Sequence, residues 1–229
     1  MKNRFPQLVQ EILFLVSLAI SVFSGCIHVT HPSNVRPGLS ADIVGGVSEE
    51  HYRADTECNG CQRDEPVSGN VNVFQMNLAW GKRLEGGDAL RAGLMVPLSM
   101  NNASELVAVG GTTFDIYYQF RDGPFNMGAG GLAGAIISGV YLEAGKTIYP
   151  SDGFEMNIDV GMSAEIALFR EAGIKPFFLV GVAGRRWHAG LWADYLKYRN
   201  YFKRCKENCE PDDFLERSVS GGFYLGSRF

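Results

Sequence analysis

Period-two alternation of apolar and polar residues, segments longer than common strands, and connections alternating between short and long predict an all-β fold. That fold is an antiparallel up-and-down transmembrane β-barrel of eight strands with long outer loops. The clearest segment is 154–168. Phe154, Met156, Ile158, Val160, Met162, Ala164, Ile166 and Leu168 fall on one face; Glu155, Asn157, Asp159, Gly161, Ser163, Glu165 and Ala167 fall on the other. Successive strand side chains point to opposite faces, so the segment has one apolar and one polar wall. Common strands run about six residues, so this length suits a membrane.

The strands are expected, in order, over 38–47, 70–82, 88–99, 111–121, 125–144, 154–169, 174–188 and 216–229. In the second, Phe74, Met76, Leu78 and Trp80 oppose Val73, Gln75, Asn77 and Ala79. In the third, Leu90, Ala92, Leu94, Val96 and Leu98 oppose Arg91, Gly93, Met95 and Pro97. In the fourth, Phe114, Ile116, Tyr118 and Phe120 oppose Asp115, Tyr117, Gln119 and Arg121. The glycine-rich start of the fifth blurs the alternation and admits a break into two pieces. The connections run long (48–69), short (83–87), intermediate (100–110), short (122–124), intermediate (145–153), short (170–173) and long (189–215). Membrane barrels keep short turns on the periplasmic rim, and an even strand count returns both chain ends there.

Composition agrees. The 229 residues are 46% hydrophobic and 20% charged, ordinary values that exclude collagen-like and disordered classes. A net charge of −4 offers no electrostatic case for nucleic acid. The 28 glycines are an excess that needs a place.

Lys2 and Arg4 precede an apolar run from Ile12 to Phe23, too short to span a bilayer as a helix. Residues 1–25 read as a signal peptide, 26–37 as a lipidated polar tether containing His28 and His31, and 38–229 as the barrel domain. Phe23-Ser24-Gly25-Cys26 resembles the lipobox of bacterial lipoproteins, which implies lipidation at Cys26. Ile27 after the cysteine implies sorting to the outer membrane.

The chain closes on an alternating strand whose Phe223, Leu225 and Phe229 share a face. This resembles the assembly signal of bacterial outer-membrane β-barrels. It implies recognition by the barrel-insertion machinery and contact with outer-membrane lipid. Ser227 departs from the apolar residue common at its place. The competing architecture is a soluble, lipocalin-like periplasmic lipoprotein with its apolar faces inward around an apolar ligand.

With apolar faces outward, the lumen receives Asp42, Asp115, Glu155, Asp159 and Glu165 together with Arg91, Arg121, Lys175, Arg185 and Arg228. Buried charges need partners, so a lumen filled by paired charges without a large pore is expected. Gly93, Gly161, Gly181, Gly222 and Gly226 fall on the same faces, where a narrow barrel lacks room.

Cys58, Cys61, Cys205 and Cys209 lie in the first and last long loops. An exported chain makes disulfides the default, as 58–61 with 205–209 or as cross-loop pairs. A four-cysteine zinc site has compatible ligands, but no metal or cofactor is expected. Trp187, Trp192, Tyr195, Tyr198 and Tyr201, with Arg185, Arg186, Lys197, Arg199, Lys203 and Arg204, form an aromatic and basic cluster placed at the outer rim, suited to lipopolysaccharide or other surface ligands. For catalysis, His188 is the only histidine in an expected strand, with Ser218 and Ser220 on the neighbouring strand as conceivable nucleophiles of a lipid-modifying hydrolase. The expected role is structural or surface-interacting, without a catalytic residue.

Overall fold

The computed structural model describes residues 28–54, 67–100, 106–108, 112–121, 125–134, 137–167, 172–199 and 213–229. The strands are β1 (Gly38–Ala54), β2 (Val67–Arg83), β3 (Ala89–Met100), β4 (Leu106–Ala108), β5 (Thr113–Arg121) and β6 (Phe125–Gly134). They continue as β7 (Ile137–Ser151), β8 (Phe154–Ala167), β9 (Ala172–Ala183), β10 (Trp187–Arg199) and β11 (Asp213–Arg228). Each pairs antiparallel with its neighbour, and β1 pairs with both β2 and β11, which closes the sheet into a barrel. The short β4 pairs with β3 just past the stretch where β3 meets β5, so the closed ring has ten strands.

Ten strands correct the expected eight, and two regions account for the difference. The span 125–144 is a hairpin: β6 and β7 pair from Phe125↔Lys146 to Ala133↔Ser138, so the chain reverses across residues 135–136. No polar turn residue marks that reversal in the run Leu132 to Ile137. The second region is 189–199, expected as part of the 189–215 loop and found in β10, which begins at Trp187. Its inward face carries Trp192 and Leu196 beside His188 and Asp194, while its outward face carries Leu191 and Tyr195. Both faces mix apolar with polar, so period two is hard to see there.

The extra pair of strands keeps the parity even but moves loops between rims. Gly38 and Phe229 lie on one rim with the turns 84–88, 152–153 and 184–186, and β5 ends and β6 begins there; this is called the chain-end rim. At the far rim β1, β3, β6, β8 and β10 end and β2, β5, β7, β9 and β11 begin. The 145–153 connection was expected on the outer side; instead β7 continues to Ser151 and turns through Asp152 and Gly153 on the chain-end rim. Gly153 has φ +77°, a left-handed conformation that suits glycine in a two-residue hairpin turn. A short periplasmic turn was expected at 170–173, whereas β8 ends and β9 begins at the far rim.

The apolar faces point outward around the ring. Val140 and Leu142 on β7, Val160 and Ile166 on β8, and Ile116 on β5 are all more than half exposed. This excludes the lipocalin-like arrangement, which needs those faces inside. Phe223 and Leu225 lie on the outer face of β11, and Phe229, one residue past its end, is exposed as well. Inside, Tyr117, Tyr141, Phe177, Leu179, Trp192 and Tyr224 form a packed core. Their rings rest on glycines of neighbouring strands. A Cβ on Gly130 would run into Tyr141, one on Gly161 into Phe177, and one on Gly181 into the Tyr224 hydroxyl. The glycine excess therefore makes room for large rings in a narrow barrel.

Candidate functional site

The lumen holds a segment that is not part of its wall. Residues 28–37 carry no strand, yet His28, Val29, Thr30, His31, Ser33, Asn34 and Val35 are buried. His28 and His31, expected in a polar tether, are thus enclosed by the barrel. From Gly38 at the chain-end rim the segment runs backward along the chain into the barrel. Arg36 donates to the carbonyl of Gly184 in the β9–β10 turn and pairs with Glu155 at the start of β8. At the deep end His28 stacks on Trp192, with ring centroids 4.2 Å apart, and its Nδ1 lies 2.5 Å from Asp194 Oδ2.

Side chains of the wall satisfy the segment's backbone, as a buried irregular stretch requires. The Gln75 amide binds both sides of His28, accepting from its N–H at 3.1 Å and donating to its carbonyl at 3.0 Å. Gln119 accepts from the Val35 N–H at 2.7 Å, and Tyr117 donates to the Ser33 carbonyl at 3.3 Å. Asp159 accepts from the Ser33 N–H at 3.1 Å and from its hydroxyl at 2.5 Å. Asn77 donates to the Thr30 hydroxyl at 2.9 Å.

Around His31 the polar network is dense. Its Nε2 lies 2.9 Å from the Tyr141 hydroxyl, which donates to Asp115 at 2.6 Å; Arg91 pairs with the other oxygen of Asp115. His31 Nδ1 lies 3.6 Å from Glu143. Burial holds the His31 ring well below its ordinary pKa, with Arg91 adding to the effect. Burial, with Arg228 nearby, pushes Arg36 down to about 10, so it stays charged at neutral pH.

The ten residues expected as lumen charges divide three ways. Asp115 with Arg91, Glu165 with Lys175 at 2.6 Å, and Asp42 with His188 at 2.5 Å are wall pairs. Glu155 and Asp159 meet the inner segment instead of wall cations. Arg185 is exposed in the 184–186 turn and Arg228 is half-buried at the same rim. The Arg121 side chain lies outside the described residues, as do Cys26, Cys58, Cys61, Cys205 and Cys209. Glu143 and Asp194 were missed because their partners, His31 and His28, belong to the segment expected as a tether. Beside the segment, a cavity of about 50 Å³ is lined by Arg36, Asp42, Arg91, His188, Tyr224 and Arg228.

The Ser–His pairing considered for hydrolysis does not form. His188 sits next to the 184–186 turn on the chain-end rim, not the outer rim, and pairs in register with Gly226. Ser220 pairs with Asp194, six residues further along β10, about 20 Å at the rise of a strand. Ser220 donates to the Ser48 hydroxyl at 2.9 Å. The expected aromatic and basic rim cluster is also divided. Arg185, Arg186 and Trp187 lie at the chain-end rim, and Lys197 lies toward the far rim, opposite Arg217 of β11. Among the described residues no group of three or more His, Cys, Asp or Glu is arranged to hold a metal.

No family model matches the chain, and no curated protein matches it. Among solved structures, it is similar to the attachment invasion locus protein Ail of Yersinia pestis, at 8% identity and TM-score 0.29, covering 84% of this chain and 99% of that one. It is also similar to the beta domain of the Bordetella autotransporter BrkA, at 10% identity and TM-score 0.36, covering 86% and 100%. At these values neither activity nor partner passes from them to this chain. The fold is a closed, antiparallel, ten-stranded barrel with residues 28–37 inside.

Proposed function

We propose that the chain is an integral β-barrel of the bacterial outer membrane, shut by its inner segment, with a structural or surface-interaction role rather than a catalytic one. The observation that carries this reading is the outward apolar face of the ring. Leu39, Ile43, Leu78, Ile116, Val140, Leu142, Val160 and Leu191 each expose well over a third of their surface. In water such a belt is far larger than the apolar patches that soluble monomers tolerate; in lipid it is the expected wall.

Outward aromatics support the orientation. Trp80, Tyr118, Phe120, Phe125, Tyr149, Trp187 and Phe229 all lie close to the chain-end rim, as a girdle at a membrane–water boundary requires. That rim also carries the short turns, so it corresponds to the periplasmic side and the far rim to the cell surface. Reading of the closing strand by the insertion machinery and contact of the far-rim loops with lipopolysaccharide or surface ligands belong to the same proposal.

The test is insertion. Purified chain refolded with phospholipid vesicles is expected to float with them, resist extraction by urea, and migrate faster on gels unheated than heated. A soluble monomer without detergent overturns the reading.

A further inference from the structure

The inner segment is bound as a ligand is bound, and its binding site is a lumen in which carboxylates outnumber cations once the segment leaves. We propose that residues 28–37 are a displaceable plug and that the barrel behind it is a latent cation-selective channel. This rests on the membrane reading above.

Three observations carry it. The first is how the plug is held. It carries no strand, so withdrawing it breaks no ladder of the wall. Its ties are hydrogen bonds with the side chains of Gln75, Asn77, Tyr117, Gln119 and Asp159, and contacts of His28 with Asp194 and Arg36 with Glu155, with His31 3.6 Å from Glu143. It leaves the wall through Gly38, whose φ of +109° is open to glycine, a suitable pivot at the mouth of the barrel.

The second is room. Eight strands enclose a space that side chains fill, and sixteen or so leave an aqueous channel. Ten strands here enclose side chains plus one irregular segment of chain, which occupies the passage from Arg36 at the rim to His28 beside Asp194. The plug is therefore the material that shuts the passage at this level.

The third is charge. Arg91 and Lys175 are paired within the wall, to Asp115 and Glu165. The plug supplies His28 to Asp194, His31 to Glu143, Arg36 to Glu155 and the Ser33 hydrogen bonds to Asp159. With the plug out, those four carboxylates line the passage without those partners, from the rim inward. Carboxylates lining a narrow, low-dielectric passage concentrate cations and exclude anions. The ligand class is small inorganic cations, with potassium as the probe.

The experiment is single-channel recording in planar bilayers under a KCl gradient. The full chain is expected to insert and stay shut. The chain deleted for residues 28–37 is expected to give steady conductance steps with a reversal potential set by potassium. A second variant, H28A/R36A in the otherwise intact chain, keeps the plug but removes its two end anchors; it is expected to flicker open with the same selectivity. A deleted chain that inserts and shows heat-modifiable migration, yet is silent or prefers chloride, overturns the proposal. If the deleted chain does not fold, a silent H28A/R36A chain overturns it. Failure of the full chain to enter lipid at all overturns the membrane reading instead.

Discussion

Two levels of the lumen are held together differently. Toward the far rim, the wall satisfies itself across adjacent strands: Lys175 of β9 pairs with Glu165 of β8 at 2.6 Å, and Ser163 donates to Glu165 at 2.8 Å. Nearer the chain-end rim, the wall is completed by the inner segment, through His28–Asp194, His31–Glu143, Ser33–Asp159 and Arg36–Glu155. The first kind of pair is fixed as soon as the hairpin forms. The second joins residues more than a hundred positions apart and forms only when the barrel has closed around the segment. The far level thus belongs to the folded wall, and the near level to a docking event within it.

Substitutions at the two levels should separate accordingly. Lys175→Met leaves Glu165 buried without its cation and is expected to cost about 3–5 kcal/mol, read by denaturant unfolding in detergent or vesicles. If Arg36→Ala costs as much, the two levels do not differ in kind. On the outer wall, Ile158→Arg places a charge on the lipid face and is expected to cost about 2–4 kcal/mol near the bilayer midplane; equal stability of this variant and wild type in vesicles would remove the lipid from that face. Gly130→Val drives a side chain into the Tyr141 ring, whose hydroxyl contacts both Asp115 and His31. The expected loss is about 1–3 kcal/mol, with weaker protection of residues 28–37 against hydrogen exchange.

Arg36→Ala removes one partly exposed pair at the rim, worth about 1 kcal/mol or less, and its effect should appear as faster exchange in residues 28–37 with unchanged global unfolding. The smallest expected effect is a pH dependence. His31 belongs to the inner segment, and burial lowers its pKa in the folded state. The undocked segment therefore binds more protons below its ordinary pKa of about 6.5. Docking is favoured above that value and weakens as pH falls below it. Exchange of residues 28–37 should accelerate between pH 7.5 and 5.5, and His31→Gln should flatten the dependence.

Much of the wall was legible in the sequence. Among the described side chains, the faces of 70–82, 88–97, 112–120 and 154–166 came out as read, because period two is a local property and one face of each segment is consistently apolar. The wall pairs Arg91–Asp115 and Glu165–Lys175 drew on residues already assigned to the lumen. The strand count was not legible. The hairpin across 135–136 lacks turn residues, and β10 sets Trp192 and Leu196 inward among polar neighbours, so neither interrupts nor repeats the pattern. His188 consequently lies at the chain-end rim, about 20 Å along the strand from Ser220. Glu143 and Asp194 could not be assigned at all, since nothing near them in sequence names a partner.

By itself, then, the sequence determined which residues of each clear strand face outward, that the ring would be antiparallel, and that the glycine excess would serve crowding inside it. These follow from the alternation of side chains along an extended backbone and from the size of a side chain against glycine. Only the tertiary structure decided that ten strands close the ring and that residues 28–37 occupy its lumen. Both depend on contacts between distant positions: Asp194 meets His28 across 166 residues, and Asp159 meets Ser33 across 126. Such partners are chosen by which polar groups remain unsatisfied once the wall has closed, and a linear pattern carries no record of that remainder.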